Sequence, residues 1–328
     1  MKLGFAVKVL GDGGLPSHDT RRWQSKPHLS VSIGYLDAIF DYLARADIRM
    51  YRMSSSLAPY ATHPDFPQFR GQVEGCAEAL RALGAKARDL GLRLSVHPGQ
   101  FVVLNSEDAD VRALAIADLE VQAEILDAME LSGDAVVVLH VGGARGGLEA
   151  AADRFLAGFE KLSTRARARL VIENDDRSFS LGTVMGIAER IGVPVVWDIL
   201  HHHCHDPERI PDRQALELAL STWPSGITPK IHYSSPKTAT DERTRRSGRR
   251  VERSVVMPQL RAHADLIDPI GFEHFLGETA RDFDFDVMLE AKAKNLALLR
   301  LRDQLAARHV DVSSKERSVA QGVRSASR

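Results

Sequence analysis

Short apolar runs alternate along this chain with longer stretches in which apolar residues recur at helical spacing. The runs are rich in Val, Ile and Leu and show little apolar–polar alternation, a pattern typical of parallel strands buried on both faces. This pattern predicts eight strands, at residues 3–7, 48–53, 92–96, 135–141, 170–173, 195–198, 230–233 and 287–289.

The stretches between these runs predict helices. In one of them Val73, Leu80 and Ala87 recur at helical spacing, and the four clearest segments are residues 33–46, 71–90, 109–131 and 148–167. Repeated strand–helix alternation indicates an α/β fold, and eight strands favour a TIM (β/α)8 barrel over a doubly wound sheet. We expect a single barrel domain over residues 1–305 and a flexible, disordered, basic C-terminal tail over residues 306–328.

The composition excludes several other classes of protein. Cys76 and Cys204 lie far apart and outside any CxxC pattern, which argues against a disulfide scaffold or a structural zinc site. The N-terminal apolar run stops at the Gly-Asp-Gly-Gly sequence of residues 11–14, too early for a signal peptide or a membrane span. We expect a cytoplasmic protein without a membrane partner, acting as a monomer.

The overall charge gives no indication of a nucleic-acid partner, because the formal net charge of the chain is only −1. Residues 236–253, however, are locally basic and lack periodic apolar positions. We interpret this segment either as a solvated loop or as a loop that contacts phosphates, and the sequence supports both.

Side chains that can bind metal ions lie near the C-terminal ends of the last six predicted strands, within the strand or directly after it. They are His97, His140, Glu173, Asp198, His232 and Glu290, with His201 and His263 in the connections that follow the sixth and seventh strands. The C-terminal ends of all strands of a barrel open onto one face, so these side chains converge on one cavity. Glu173 and Glu290 are the strongest candidates, because a carboxylate that ends a buried strand needs a cation or hydrogen-bond donors.

Imidazole and carboxylate ligands without thiolate favour manganese, zinc or iron over magnesium. The eight candidates exceed the needs of one ion, which indicates a cluster of two or three divalent ions. In such clusters one ion lowers the pKa of the attacking water and others neutralise charge on the leaving oxygen of a phosphodiester. We expect Glu173 to bridge two ions. Lys230 shares a strand face with His232, and either pairs with a carboxylate or neutralises the scissile phosphate.

Several segments resemble those of the UV damage endonucleases. They are residues 95–101 (SVHPGQF), 171–176 (VIENDD), 196–202 (VWDILHH), 230–235 (KIHYSS), 288–292 (MLEAK) and 52–55 (RMSS). The similarity runs from about residue 1 to residue 305. It implies a TIM barrel related to endonuclease IV-type abasic-site nucleases, acting on damaged double-stranded DNA.

The resemblance implies incision immediately 5′ to cyclobutane dimers and 6-4 photoproducts, and activity at abasic sites as well. It also implies three divalent ions, typically manganese, with zinc as another possibility. We expect Glu173 and Lys230 to act in catalysis. The ligands implied by the motifs are His97, His140, Glu173, Asp198, His201, His232, His263 and Glu290.

Gln100 and Phe101 match the pair that in this family inserts into the duplex at the lesion. A planar ring replaces lost base stacking, and an amide occupies the hydrogen-bonding groups of displaced bases. The first strand departs from the family pattern, because Phe5 is followed by Ala-Val-Lys-Val without the expected polar residue. Phe5 remains a candidate lesion contact.

Three other functions stay open at this stage. An abasic-site endonuclease without photoproduct activity would use the same metal site. A metal-dependent sugar isomerase shares the barrel and its strand-end ligands, although such enzymes usually need two ions and a compact polyol pocket. A non-catalytic protein that binds DNA damage would have no use for so many metal ligands at one mouth.

Overall fold

Parallel strands form the wall of a closed barrel in the structure, a computed structural model that describes residues 1–247, 250–310 and 312. In chain order the strands are β1 Leu3–Ala6, β2 Met50–Met53, β3 Arg93–Val96, β4 Val136–His140, β5 Leu170–Glu173, β6 Val195–Val196, β7 Lys230–Tyr233, β8 Asp241–Ser247, β9 Arg250–Val256 and β10 Asp286–Leu289. The barrel contains all of these except β8 and β9, in the order β6-β5-β4-β3-β2-β1-β10-β7.

The two ends of this sheet meet beside the metal-ligand candidates. A parallel bridge joins Asp198 to His232, and the backbone N–H of His232 donates to the carbonyl of Trp197 at 2.9 Å. These contacts bring the chain after β6 against β7 and close the barrel. The predicted TIM barrel is therefore confirmed, and the predicted strands match the observed ones to within two residues at each end.

Helices connect the strands and cover the outside of the barrel. They are α1 Leu29–Arg45, α2 Gln72–Gly75, α3 Ala77–Asp89, α4 Ala109–Ala128, α5 Leu148–Phe159, α6 Thr164–Arg169, α7 Leu181–Ile191, α8 Ile199–Cys204, α9 Asp212–Ser221, α10 Pro269–His274 and α11 Lys294–Ala307. Two predicted helices are each divided in two, at Cys76 and before Ser163. The second break has a clear cause, because the Ser163 side chain caps α6 by accepting from the backbone N–H of Ala166.

On the inside of β4 and β5 the side chains change from apolar to polar towards the C-terminal ends of the strands. Val136 and Val138 share a strand face with His140, because successive side chains of a strand point to opposite faces. Val171 has the same relation to Glu173. The valines pack together with Trp223 in a small buried cluster. This apolar floor supports the histidine and glutamate side chains one step further along the same strands.

The basic segment 236–253 contains most of a hairpin and is not the loop that we expected. Strands β8 and β9 pair antiparallel, with Asp241 opposite Val256 and Ser247 opposite Arg250. Among the described side chains of β8 and β9, all are exposed except that of Val256, which is partly buried. Neither face is buried, so the sequence shows no apolar–polar alternation from which strands could be predicted.

The predicted tail begins within α11, which continues to Ala307. The rest of the tail, apart from residues 308–310 and 312, lies outside the described residues. Among the residues that the structure describes, no helix combines the length and the apolar character needed to cross a membrane.

Asp19, between β1 and α1, is a buried carboxylate on which we make a stability prediction. It accepts hydrogen bonds from Arg21 Nε at 2.9 Å and from the backbone N–H of His28 at 3.0 Å. The bond from Arg21 is the main reason why the pKa of Asp19 falls from 3.8 to about 2. Asp19→Asn should lower the free energy of unfolding at neutral pH by about 1–3 kcal/mol, since a buried charged hydrogen bond is lost.

The sign of the pH dependence follows from the lowered pKa. The carboxylate stabilises the folded state above the ordinary pKa of 3.8, and this contribution is lost as the pH falls towards 2. Denaturant unfolding of both proteins should therefore show a difference that shrinks below about pH 4. Asp37→Asn is the control, because Asp37 forms an exposed ion pair with Lys86. A difference that stays constant with pH would contradict this assignment.

Candidate metal centre

Glu173, the last residue of β5, lies at the centre of a group of histidines at the C-terminal mouth of the barrel. Its side chain is fully buried. Its Oε1 atom lies 2.8 Å from His232 Nδ1 and 3.7 Å from His201 Nδ1. Its Oε2 atom lies 2.9 Å from His97 Nε2 and 3.6 Å from His140 Nε2. Three strand ends and helix α8 therefore direct an imidazole towards one carboxylate.

Glu290, directly after β10, is a second carboxylate of this group. Its Oε1 atom lies 3.4 Å from His232 Nδ1, and its Oε2 atom lies 3.6 Å from His263 Nδ1. The backbone holds His263 in place through an antiparallel bridge to Pro236. Arg52 of β2 forms an ion pair with Glu290. His263, which the sequence places far from any strand end, thus reaches the same mouth.

Asp198 is the third carboxylate and is held by Asn174. The Asn174 side chain accepts from the backbone N–H of Asp198 at 2.8 Å and donates to its carbonyl at 3.0 Å. One oxygen of Asp198 accepts from the backbone N–H of His201 at 2.9 Å, which starts α8 and turns the His201 ring towards Glu173. This cap fixes two candidate ligands at once.

Asn174 and Arg52 are the residues of this site to which sequence reasoning gave no role. Asn174 follows Glu173 directly, and an amide next to a buried carboxylate was the available signal. Arg52 comes one position before the end of β2, so it reaches the mouth from the strand next to β3. Both orient a carboxylate that is a candidate ligand.

The polar atoms of the mouth form three sets that fit metal ions. Within each set the candidate ligand atoms lie within 4.8 Å of one another. Asp198 Oδ2 and His232 Nε2 are buried and have no hydrogen-bond partner among the described residues. Unpaired buried polar atoms are unfavourable, and cations would satisfy them. The sets are His97–His232–Glu290, His97–His140–Glu173 and Glu173–Asp198–His201.

The charges in this group shift one another's pKa values. Burial alone would raise the pKa of Glu173, but the positive charges of His232 and His140 hold it well below its usual range. Burial raises the pKa of Asp198. Burial would lower the pKa of His201, yet the negative charges of Asp198 and Glu173 raise it to about 9. A proton on His201 therefore occupies a position at which a cation would bind, and metal binding would displace it.

Lys230 lies deeper in the barrel than we expected. Its side chain is 1% exposed, and its Nζ atom has no hydrogen-bond partner in the part of the chain that the structure describes. Burial, with the positive charges of Arg93 and Arg52, lowers its pKa well below the usual range. No described carboxylate forms an ion pair with Lys230, so the interpretation as a paired lysine is wrong. The buried amine is not accessible to a phosphate at the mouth in this conformation.

The expected lesion-contact residues separate into two groups. Gln100 and Phe101, after β3, are exposed, and Phe101 has 82% of its surface accessible. A cleft of about 410 Å³ between Gln100 and Asp175 includes His140 on its wall, so it adjoins the metal-competent group. Phe5, in contrast, is fully buried and packs edge-on against Tyr51. The expectation that Phe5 contacts DNA is therefore wrong for this conformation.

The histidine run of residues 201–205 contributes one side chain to the mouth. His201 faces Glu173, whereas His202 contacts the carbonyl of Ile210 through Nε2 at 2.8 Å. His203 points away to Asp212, 2.9 Å distant.

Comparison with known proteins identifies the family to which this chain is similar. The model of the family described as UV-endonuclease UvdE matches residues 29–318. The UV DNA damage endonuclease of Bacillus cereus strain B4264 is 32% identical over 271 residues, which cover 82% of this chain and 79% of that protein. The corresponding protein of Bacillus pumilus strain SAFR-032 is 35% identical over 266 residues, covering 80% and 76%.

Solved structures agree with this result. The crystal structure of SacUVDE superimposes with a TM-score of 0.79 and 28% identity, covering 95% of this chain and 100% of that one. A D-psicose 3-epimerase from Clostridium cellulolyticum H10 reaches a TM-score of 0.52 with 13% identity, over 94% and 97% of the two chains. The second likeness shows the barrel fold alone. The chain therefore belongs to the UV-endonuclease UvdE family of TIM-barrel endonucleases, whose members act in DNA repair.

Proposed function

We propose that this protein hydrolyses the phosphodiester bond immediately 5′ to UV photoproducts in duplex DNA, and that it depends on divalent metal ions. The observation that carries the proposal is the placement of Glu173 among four imidazoles, beside an exposed Gln100–Phe101 pair. Family membership supplies the general activity. The site geometry supports the specific reaction.

The residues that would hold the ions are the eight candidate ligands. Seven of them form the three sets, with Glu173 shared between two sets, and His263 contacts Glu290 beside them. We propose up to three ions, with manganese as the first choice, because the donors are imidazole and carboxylate. When bound, such ions activate water and neutralise charge on the leaving oxygen. The chain itself orients the ligands, through Asn174 for Asp198 and Arg52 for Glu290.

Lesion recognition would depend on the Gln100–Phe101 pair. A photodimer stacks and pairs poorly, so displacing it costs less free energy than displacing intact bases. The exposed Phe101 ring is available to fill the gap by stacking, and the Gln100 amide to bond the opposite bases. The cleft next to Gln100 and His140 offers space for a displaced nucleotide at the edge of the metal centre.

The test is an incision assay with manganese on four duplexes that contain a cyclobutane dimer, a 6-4 photoproduct, an abasic site or no lesion. We expect one nick 5′ to each photoproduct, leaving a 3′-hydroxyl, and none in intact DNA. Phe101→Ala should slow incision at the dimer about tenfold or more, since stacking contributes about 1–3 kcal/mol per base. Leu114→Ala, at an exposed apolar position of α4, is the control.

Two results would decide against this proposal. Incision of the abasic duplex alone would favour an abasic-site endonuclease without photoproduct activity. No nick in any duplex would contradict the nuclease assignment altogether.

A further inference from the structure

The β8–β9 hairpin rises from the rim of the metal centre. It leaves the barrel after β7, which carries His232, and returns just before His263. Its base is held by the bridge between Pro236 and His263 and by the Lys237 N–H, which donates to the Ala262 carbonyl at 2.6 Å. A molecule that binds the hairpin therefore lies close to the substrate of the metal centre.

The hairpin is strongly basic in a chain that is otherwise balanced. Residues 237–256 contain seven basic and three acidic side chains, whereas the whole chain has 43 basic and 44 acidic ones. One of the three acids, Asp241, is paired with Lys237 at 2.5 Å, which lowers the pKa of Asp241. The positive charge is thus concentrated on one projecting element.

Arginines occupy both faces of this ribbon. Arg243 stands opposite Ser254, and Arg253 stands opposite Thr244, so the alternation of side chains places the two arginines on opposite faces. Both are exposed, and neither forms an ion pair with another described residue. Strands of seven residues give the ribbon a length of about 24 Å, enough to follow several phosphates of a duplex.

The hairpin projects from the barrel although its own interactions stabilise it little. Among the described residues, β8 and β9 pair only with each other and not with the barrel. A two-stranded hairpin without a packed face is marginally stable by itself. Repulsion among its arginines adds to this cost, whereas a polyanion would remove it.

We infer that the β8–β9 hairpin is a second DNA contact, a clamp whose arginines bind the sugar-phosphate backbone of the duplex beside the cleavage site. This inference rests on the proposed function, because it takes duplex DNA as the partner. The contact is independent of sequence and of damage, since it is made to phosphates. Its role is to hold the duplex across the mouth while Gln100 and Phe101 examine the bases.

The test measures binding of undamaged duplex in the presence of a chelator, over a series of salt concentrations. Each phosphate contact contributes about 0.9 to the slope of log affinity against log salt. Arg243→Ser with Arg253→Ser should therefore lower the slope by nearly two and the affinity at about 0.1 M salt roughly tenfold. Arg243→Lys with Arg253→Lys should keep most of the slope, because lysine also pairs with phosphate.

The matched control removes the same charge from the other end of the barrel. Arg190, near the end of α7, and Arg281, shortly before β10, are exposed and precede strands. Arg190→Ser with Arg281→Ser should leave the slope unchanged. Equal losses in both double variants would show an effect of overall charge alone and would overturn the inference.

An unchanged slope in Arg243→Ser with Arg253→Ser would overturn it too, and would point to an acidic protein as the partner of the hairpin. Thermal unfolding of each variant checks that the fold is kept. The assay measures binding without incision. The hairpin inference can therefore fail this test while the proposed function holds, and it can pass the test while the proposed function fails.

Discussion

Glu173→Gln is expected to reduce incision beside a photoproduct by about a thousandfold or more. Glutamine keeps the size of the side chain but removes the charge that faces four imidazoles at 2.8–3.7 Å. Without that charge, two of the three metal-competent sets lose their shared carboxylate. Binding of the lesion should remain, because Gln100 and Phe101 lie outside this group.

Single-turnover incision and lesion binding, measured on the same dimer-containing duplex, check this prediction. Glu278→Gln is the matched control, because Glu278 is 65% exposed and lies near Arg281 at the other end of the barrel. Thermal unfolding shows whether the variant is folded. If Glu173→Gln cut within tenfold of the unchanged protein, Glu173 would not be central to catalysis.

Removal of divalent ions is expected to abolish incision and to lower the unfolding temperature by several degrees. Ions that bind only the folded state stabilise it by about 2.7 kcal/mol at a hundred times their Kd. Here they would pair with Asp198 Oδ2 and His232 Nε2, which have no hydrogen-bond partner among the described residues. Dialysis against a chelator, then addition of manganese, should lower and restore both incision and Tm.

A variant separates specific metal binding from a general effect of salts. Glu173→Gln with Glu290→Gln should lose the rise in Tm on manganese addition. His203→Gln should keep it, because His203 pairs with Asp212 away from the mouth. An unfolding temperature indifferent to manganese in the unchanged protein, with full incision in chelator, would rule out a metal-dependent enzyme.

The sequence predicts the barrel well because buried parallel strands need continuous apolar runs. The run that ends at Glu173 and the run 230–233 coincide with β5 and β7. The C-terminal ends of the runs also predict where the functional side chains lie, because the C-terminal ends of all strands of a barrel meet at one face. His97, His140 and His232 converge on Glu173 for that reason.

Other features depend on three-dimensional packing that no local pattern reports. Phe5 lies in an apolar run, and only the packing of Tyr51 against it shows that the ring is covered. Lys230 has the inward-facing position of His232 but lies deeper in the barrel, where its amine is buried. The hairpin was not predicted, because strands with two exposed faces show no alternation of apolar and polar residues. Asn174 and Arg52 act by orienting other side chains, and spacing alone does not reveal that.

The position of the hairpin also bears on how this enzyme can change over evolutionary time. Its base is closed by hydrogen bonds that join Lys237 to Ala262 and Ser235 to Ala264. The entropy lost on closing a loop grows only with the logarithm of its length. Doubling the number of residues in the hairpin therefore costs about 0.6 kcal/mol. Insertions or deletions beyond that base would alter the length and the charge of the hairpin while His232 and His263 stay in place. Affinity for DNA can thus vary independently of the hydrolytic chemistry.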